Sequence, residues 1–445
     1  MHNITRRGLG LGAGALAAAG LLGRDANAAI PAADVPAPNL PIESGASLRV
    51  LRPAKFVDPD EVIFRENTKA FSDKTGVQVR VDFAGWEDLR PQTAVTANTG
   101  AGPDVVVGWT DDPHLYSDKL LDLTDLADYL GKKYGGWYPL AERYGKKLGT
   151  NQWIALPMGA SGGLMLYRES ILQEIGFSKA PDRTDTFLDM CRKLKEAGKP
   201  PAGFALGNAV GDANAYCHWV VWSHGGAMTD EAGKVTINSP QTIEALKYAA
   251  ELYKTFIPGT QAWLDTNNNR ALLAGEISVT QNGVSLYYAA KNSQDARVAA
   301  IGKDLNHATM PIGPSGQPAE GALAINAMAF KHTKFPNAAK AYLAWMMEAP
   351  QYDKWLTGSS GYWGQPLKAY EQSAVWTSDP KIELYKNTMA RSRWYAWPGP
   401  ITEQSGAVMA DYVMVNMVAA ASTGASTPQE AAREAERRAR RYYRG

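Results

Sequence analysis

The chain has 445 residues, of which 45% are hydrophobic, and its formal net charge at pH 7 is +1. This length predicts at least two domains. A charge so close to zero argues against a nucleic acid or an anionic membrane as the partner, because both are recognised through basic surfaces. The one dense basic run, residues 433–444, is interleaved with acidic residues and is interpreted as the solvated face of a terminal helix.

The first 28 residues have the features of a twin-arginine export signal. Arg6 and Arg7 precede an apolar stretch rich in glycine and alanine, which ends at Ala26-Asn27-Ala28, a typical cleavage pattern. We therefore expect residues 1–28 to be a Tat-type signal peptide and the protein to be periplasmic. Residues 29–46 are rich in proline and alanine and predict a flexible leader. No other apolar stretch reaches the roughly 18 residues of a transmembrane candidate.

Strands and helices alternate at the start of the predicted fold. Strands are expected at 48–51, 77–83 and 105–107, and the first helix begins at Asp58 and stops at Gly76. The last of these strands is apolar and β-branched without polar alternation, which is typical of a strand buried on both faces of a parallel sheet. This order predicts a doubly wound α/β domain.

Two turn-rich links divide the rest of the chain. A strand is predicted at 153–156, and the glycine-rich residues 157–163 are interpreted as a passage into a second domain, which is mainly helical. The second link lies at 310–316. The first link contains a G-x-S-x-G match, but an extended run follows it instead of the helix that a nucleophile elbow requires.

Cysteines and histidines give no sign of a metal or a cofactor. Cys191 and Cys217 lie in helical patterns, and both one disulfide and two separate buried thiols remain open. The six histidines show no H-x-x-x-H spacing. We expect no metal site and no cofactor.

Tryptophans outnumber phenylalanines, 13 to 10, and many lie in loops beside short polar side chains. Trp109, Asp111 and Asp112 directly follow the strand at 105–107, where open α/β sheets bind ligands. An aromatic ring covers the C–H face of a sugar, and carboxylates accept hydrogen bonds from hydroxyls. Alternatively, Trp109 packs in the core and the aspartates cap a helix. The other candidates of this kind are Trp86, Trp263, Asn268, Asn269, Asn282, Tyr287, Trp363 and Trp397.

Several segments, in order, also match a known family. They include FSDKTGVQVRVDF, TANTGAGPDVVVGWTDD, NQWIALPMGASGGLMLYRESILQEIGF, LAGEISVTQNG and FPNAAKAYLAWMME. In this order the chain resembles the family 1 extracellular solute-binding proteins of bacterial ABC importers, the relatives of maltodextrin-binding protein. The resemblance implies an α/β, two-lobed periplasmic binding protein fold with a ligand cleft between lobes joined by a hinge. It implies an N-terminal lobe of 47–157 and 312–360 and a C-terminal lobe of 158–311 and 361–445.

The resemblance also carries ligand-facing roles onto particular residues. These are Trp86, Trp109, Asp111 and Asp112 in the first lobe, Asp212 and Asn214 in the segment GDANAY, Tyr287 after the N-G turn, and Trp397 in a late aromatic segment. Maltodextrin binders carry a fuller aromatic set around the position of Tyr287. This departure favours a mono- or disaccharide or a polyol over an oligosaccharide.

Together these points predict a periplasmic substrate-binding protein of an ABC importer that is not an enzyme. It is expected to bind a sugar or polyol, to close about a hinge, to dock transiently on a membrane permease and to act as a monomer. Two alternatives stay open. One is a receptor for a charged solute, either glycerol phosphate, with Arg52 and Lys55 as candidate anchors, or a polyamine. The other is an exported carbohydrate-active enzyme, which needs two carboxylates at glycosidase separation.

Overall fold

A computed structural model describes residues 29–444 and shows two β-sheets surrounded by helices. The strands are β1 (Ser47–Pro53), β2 (Gln78–Ala84), β3 (Val105–Trp109), β4 (Leu156–Gly162), β5 (Leu164–Arg168), β6 (Val279–Asn282), β7 (Leu305–Ala308) and β8 (Ala322–Ala329). The helices are α1 (Asp58–Thr75), α2 (Trp86–Thr99), α3 (Asp112–Leu115), α4 (Thr124–Lys133), α5 (Pro139–Gly145), α6 (Glu169–Glu174), α7 (Thr184–Glu196), α8 (Asp212–Ser223), α9 (Pro240–Tyr253), α10 (Asn267–Leu273), α11 (Ser285–Lys291), α12 (Ala296–Asp304), α13 (Pro336–Met347), α14 (Ala349–Gly358), α15 (Val375–Ser378), α16 (Thr388–Arg391), α17 (Glu403–Ala410), α18 (Val413–Thr423) and α19 (Pro428–Tyr442). Short 3₁₀ segments lie at Thr260–Ala262, Lys368–Gln372 and Pro380–Asn387.

The first lobe is built on a five-stranded sheet with the order β2-β1-β3-β8-β4. The predicted β-α-β-α-β start is confirmed, and α1 ends at Gly76, whose φ of 78° lies in the left-handed region that glycine tolerates. All five residues of β3 are buried, as its apolar run predicts. The sheet is mixed and not purely parallel, because β8 runs antiparallel to both β3 and β4.

The second lobe is built on the antiparallel sheet β6-β5-β7 and a helical layer in which α8, α9, α18 and α19 pack on one another. Cys191 and Cys217 lie in its core as free, buried thiols. Burial raises the pKa of both thiols far above its usual range. They therefore behave as small apolar side chains and not as a disulfide.

The chain first passes between the sheets later than the sequence predicts. The strand expected at 153–156 shares only Leu156 with the observed β4 (Leu156–Gly162). β4 pairs with β8 as far as Gly162, and β5 begins at Leu164. The predicted lobe boundary after residue 157 thus falls inside a strand of the first sheet. The glycines serve close packing here, since a Cβ on Gly159 would lie 2.8 Å from the Cβ of Trp363. The glycine-rich residues 157–163 predict a loop from the sequence, but in the structure most of them belong to a closely packed strand.

The last passage, residues 359–402, runs along both lobes and is not confined to the C-terminal one. Gly364 bridges Ala160 of β4 and Leu367 bridges Trp137. Further on, the carboxylate of Asp379 accepts hydrogen bonds from Tyr287 and Lys291 of α11 at 2.7 Å each. The predicted assignment of everything after residue 361 to the C-terminal lobe is therefore too simple.

Residues 29–46 form an ordered strap on the first lobe, in contrast to the flexible leader that their composition predicts. Ile30 is buried in the core of that lobe, and the Ala33 N–H donates to the carbonyl of Lys133 at 2.8 Å. The Glu43 carboxylate accepts the N–H groups of Asn337 and Ala338 at 2.8 and 3.0 Å. Phe335 at the start of α13 has no capping side chain of its own, so Glu43 supplies the missing cap.

The predicted signal peptide, residues 1–28, lies outside the described residues. Between residues 29 and 444, no helix combines the length and the apolar character needed to cross a membrane.

The Glu43 cap gives a direct test of the strap. Glu43→Ala should lower the free energy of unfolding by about 1–2 kcal/mol, because two helix N–H groups lose a charged acceptor at the positive end of α13. Urea denaturation measures this difference. Asp34→Ala, on an exposed position of the same strap, is the control and should leave stability unchanged. Equal stability of the two variants would contradict the capping role.

Candidate functional site

A narrow cavity lies between the lobes, where β1, β2 and β6 end. Its free volume is about 30 Å³, which accommodates water molecules but not a sugar ring. Its lining comes from both lobes and from the last passage. The lining residues are Phe56, Trp86, Ser161, Gly162, Gly163, Gly211, Asp212, Ala215, Asp265, Asn282, Gly283, Ser285, Leu323 and Tyr362.

One wall of the cavity is aromatic. Phe56 follows β1 and Trp86 follows β2, and their ring centroids lie 4.2 Å apart. Tyr362 stacks on Phe56 with an interplanar angle of 17°. The indole N–H of Trp86 donates to the carbonyl of Ala54 at 2.9 Å, which fixes the ring's orientation. Rings held in this way present flat apolar faces without further loss of side-chain freedom.

The opposite wall is acidic and is organised by the start of α8. Asp265 accepts backbone N–H groups from Val210, Gly211 and Asp212 at 2.9, 3.1 and 2.7 Å. Asp212, the first residue of the helix, receives a hydrogen bond from the Asn268 amide at 2.7 Å. The two walls meet at Gly211, where a Cβ would lie 3.6 Å from the Trp86 ring.

Burial shifts both carboxyl groups toward their neutral forms. It raises the pKa of Asp212 well above the usual range, and the neighbouring charge of Asp265 acts in the same direction. Burial also raises the pKa of Asp265 to about 6, although the backbone N–H groups of Asp212 and Gly211 oppose the shift. A neutral Asp212 can donate as well as accept a hydrogen bond. Both oxygens of Asp265 accept backbone N–H groups of the helix end, and the side chain also lines the cavity.

Basic side chains do not reach into this lining. Arg52 is buried beneath Phe64 and pairs with Asp60 at 2.6 Å. Lys55 is exposed and pairs with Asp58 at 2.7 Å. The structure therefore contradicts the expectation that these two cations anchor a phosphate. Among the described residues there is also no cluster of three His, Cys, Asp or Glu side chains that could hold a metal ion.

Six of the predicted site residues lie in the cavity or directly behind it. Trp86, Asp212 and Asn282 line it. Asn268 holds Asp212, the side-chain oxygen of Asn269 accepts from the Asn282 amide, and Trp363 packs behind Trp86 with centroids 6.3 Å apart. Of these, Asn268, Asn269 and Trp363 support the lining and do not form it.

The structure places Trp109, Asp111 and Asp112 in the packed interior and not in the lining. The Trp109 ring packs against Trp86 with centroids 4.8 Å apart. Asp112 pairs with Arg90 at 2.7 Å and accepts the backbone N–H of Trp109 at 3.0 Å. Asp111 accepts the hydroxyl of Ser405 at 3.2 Å. This is the alternative in which the tryptophan is a core residue and an aspartate stabilises the helix end.

The remaining four predicted residues make structural contacts elsewhere. The Asn214 amide donates to the carbonyl of Val210 at 3.1 Å, and the Tyr287 hydroxyl donates to Asp379. Trp263 packs over Gly203, where a Cβ would lie 2.8 Å from the ring. The guanidinium of Arg393 lies 3.7 Å from the centre of the Trp397 ring.

Sequence reasoning missed five aromatic or polar side chains of the lining, which are Phe56, Ser161, Asp265, Ser285 and Tyr362. Two of them had a usable signal. Asp265 stands beside Trp263 in a segment whose aromatic and amide residues were singled out. Ser161 belongs to the G-x-S-x-G match, whose glycines bring the backbone to the edge of the cavity.

The family model for bacterial extracellular solute-binding proteins matches residues 66–383 of the chain. The chain belongs to this family. A probable ABC transporter-binding protein of Deinococcus radiodurans is 25% identical over 209 residues. That match covers 44% of this chain and 48% of the relative, so it spans about half the relative's length.

Solved structures of other solute-binding proteins share the fold of this chain over most of its length. The maltose-bound MalE3 of T. maritima superposes with a TM-score of 0.76 at 19% identity, covering 89% of this chain and 99% of that one. A D-mannitol-bound ABC transporter solute-binding protein of Agrobacterium vitis S4 gives 0.73 at 16% identity, covering 89% and 98%. These likenesses confirm the predicted α/β, two-lobed periplasmic binding protein fold.

The role of Asp265 can be tested through stability. Asp265→Ala should lower the free energy of unfolding by about 2–3 kcal/mol, because buried N–H groups at the start of α8 lose their acceptor. Asp265→Asn keeps one acceptor oxygen and should lose less. Urea denaturation of both variants measures their free energies of unfolding relative to the native protein. If Asp265→Ala were as stable as the native protein, the carboxylate would not organise the helix end.

Proposed function

We propose that this protein is the periplasmic substrate-binding protein of an ABC importer and that it binds a neutral sugar or polyol between its lobes. One observation carries the proposal. The rings of Phe56, Trp86 and Tyr362 face the carboxyl groups of Asp212 and Asp265 across one inter-lobe cavity. Rings suit the C–H faces of a polyhydroxylated ligand, and carboxyl groups suit its hydroxyls.

Membership of the extracellular solute-binding family supports a transport role without bond chemistry. The two similar structures described above are bound to maltose and to D-mannitol, which are a disaccharide and a polyol. We propose the same broad class here, and as contact residues Trp86, Asp212 and Asn282 together with Phe56, Asp265 and Tyr362. We also propose export through the Tat-type leader, action as a monomer and transient docking on a membrane permease.

Ligand binding would be coupled to hinge motion. The cavity is too small for a sugar ring, so the lobes must separate to admit one. A ligand that touches both walls has a higher affinity for the closed than for the open arrangement and shifts the population toward closure. The permease can then distinguish a loaded receptor by its shape.

A cationic solute such as a polyamine is the second candidate. The acidic wall and the aromatic rings favour it, because ammonium groups bind carboxylates and ring faces. The raised pKa of Asp212 weakens this candidate, because a neutral carboxyl group has no net charge to attract a cation. It can still form hydrogen bonds with a hydroxyl. Phosphate esters have no unpaired cation to bind in the lining.

A thermal-shift screen separates these ligand classes. Sugars and polyols should raise the melting temperature, because a ligand that binds only the native state stabilises it. Polyamines and glycerol phosphate form the comparison arms. A shift with polyamines alone would replace the sugar proposal, and no shift with any sugar or polyol would contradict it.

Truncation of the acidic wall should weaken binding of whichever sugar or polyol the screen identifies. Asp212→Ala is expected to lower affinity by about fivefold or more, since a ligand hydroxyl left buried without its partner costs roughly 1–3 kcal/mol. Isothermal titration calorimetry measures the change. Asp185→Ala, in the exposed first turn of α7 in the same lobe, is the matched control and should bind normally. Unchanged affinity in Asp212→Ala would remove this residue from the site.

A further inference from the structure

Asp111 is a buried carboxyl group at the contact between the lobes, outside the lining of the cavity. It directly precedes α3 and is 0% exposed. One carboxyl oxygen accepts the Ser405 hydroxyl of α17 at 3.2 Å. The other oxygen has no hydrogen-bond partner among the described residues. A buried acid that is only half satisfied is costly in its ionised form.

The contact around Asp111 joins parts that hinge motion would separate. Gly406 of α17 packs so closely that a Cβ there would lie 3.0 Å from Leu115 and 3.3 Å from the carbonyl of Asp111. On its other side, α17 packs on α18 and α19, which lie against α8 and α9 of the second lobe. If α17 moves with that lobe, opening exposes Asp111 to water.

The groups that face Asp111 provide little positive charge. Arg90 of α2 is the cation in this set, and it is already paired with Asp112. Tyr144 of α5, Tyr395 of the last passage and Tyr443 beyond α19 are neutral hydroxyl groups within range of the Asp111 charge. His114 of α3 is neutral above pH 5, because burial lowers its pKa to about 4.

We propose that Asp111 acts as a proton-operated latch, whose neutral form favours closure of the lobes and whose ionised form favours opening. The latch depends on the hinge motion of the proposed function but on no particular ligand. It assigns Asp111 a conformational role in place of direct contact with the solute.

The direction of the pH effect follows from linkage. In the closed form, burial raises the pKa of Asp111 to about 7, while Ser405 and Arg90 oppose the shift. In the open, hydrated form the pKa returns toward the ordinary value of about 3.9. At a pH between these two pKa values, closure is therefore accompanied by the uptake of a proton by Asp111. The closed-to-open ratio should rise by up to about tenfold for each pH unit as the pH falls from 7 to 4, and it should be flat above 7.

Small-angle X-ray scattering of the ligand-free protein at pH 7.5 and pH 5 tests the latch. The native protein should be more compact at pH 5, with a closed-to-open ratio up to about a hundredfold higher. Asp111→Asn mimics the neutral carboxyl group and should be compact already at pH 7.5. Asp212 and Asp265 add a pH dependence of the same sign, so the decisive quantity is the difference between Asp111→Asn and the native protein.

Two further variants keep the test decisive. Asp118→Asn, with a 71% exposed side chain shortly after α3, is the matched control and should follow the native profile. Ser405→Ala removes the donor to ionised Asp111 and should be more open than the native protein at pH 7.5, the opposite of Asp111→Asn. Equal radii of gyration for the native protein and Asp111→Asn at pH 7.5 would overturn the latch. Because no ligand is used, this result is independent of the screen for sugars and polyols.

Discussion

The cleft depends on how one helix end is held. Asp265 binds the N–H groups at the start of α8, and Asn268 a few residues later in the same segment binds Asp212. The acidic wall is therefore fixed within the second lobe. The aromatic wall is fixed independently, since the Trp86 indole is bonded to the carbonyl of Ala54 in the first lobe. The proposed hinge motion would thus bring together two preorganised halves, with little side-chain freedom left to lose when a ligand binds.

The parts of the fold that could be predicted from the sequence are those set by local pattern. The elements from β1 to β3 follow alternation, a first-turn proline and a glycine stop, all within a few residues. The strap at 29–46 and the strand β4 could not be predicted in this way. Glu43 finds its partners almost 300 positions away, at the start of α13. The glycines of β4 are explained by close contacts with Trp363 and Thr388, which belong to the last passage and leave no room for a Cβ.

The candidate site was predictable by residue type, and by position for Trp86, Asp212 and Asn282 but not for the rest of the lining. Trp86 and Trp109 have the same kind of sequence environment, a loop after a strand with acidic neighbours. In the fold, Trp86 lies at the cavity because Trp109 fills the space behind it. Asp112 and Asp212 likewise begin helices, yet Arg90 neutralises the first while the second faces the cavity. Which of two equivalent side chains is exposed to a ligand depends on its tertiary neighbours, and a single sequence does not contain that information.

The charge on three buried carboxyl groups affects whether the lobes can close. Asp111, Asp212 and Asp265 are enclosed by protein, and burial raises the pKa of each. Closing over ionised carboxylates that are only partly hydrogen-bonded is unfavourable, because the rest of their hydration is lost without replacement. A proton removes this penalty at each of the three acids by removing the charge. In the proposed function, the hydroxyls of a sugar or polyol would reduce it at Asp212 and Asp265 by donating hydrogen bonds. In the proposed function, closure without either is disfavoured. The cavity acids Asp212 and Asp265, together with Asp111 outside the lining, would therefore favour the open form of the ligand-free protein at neutral pH.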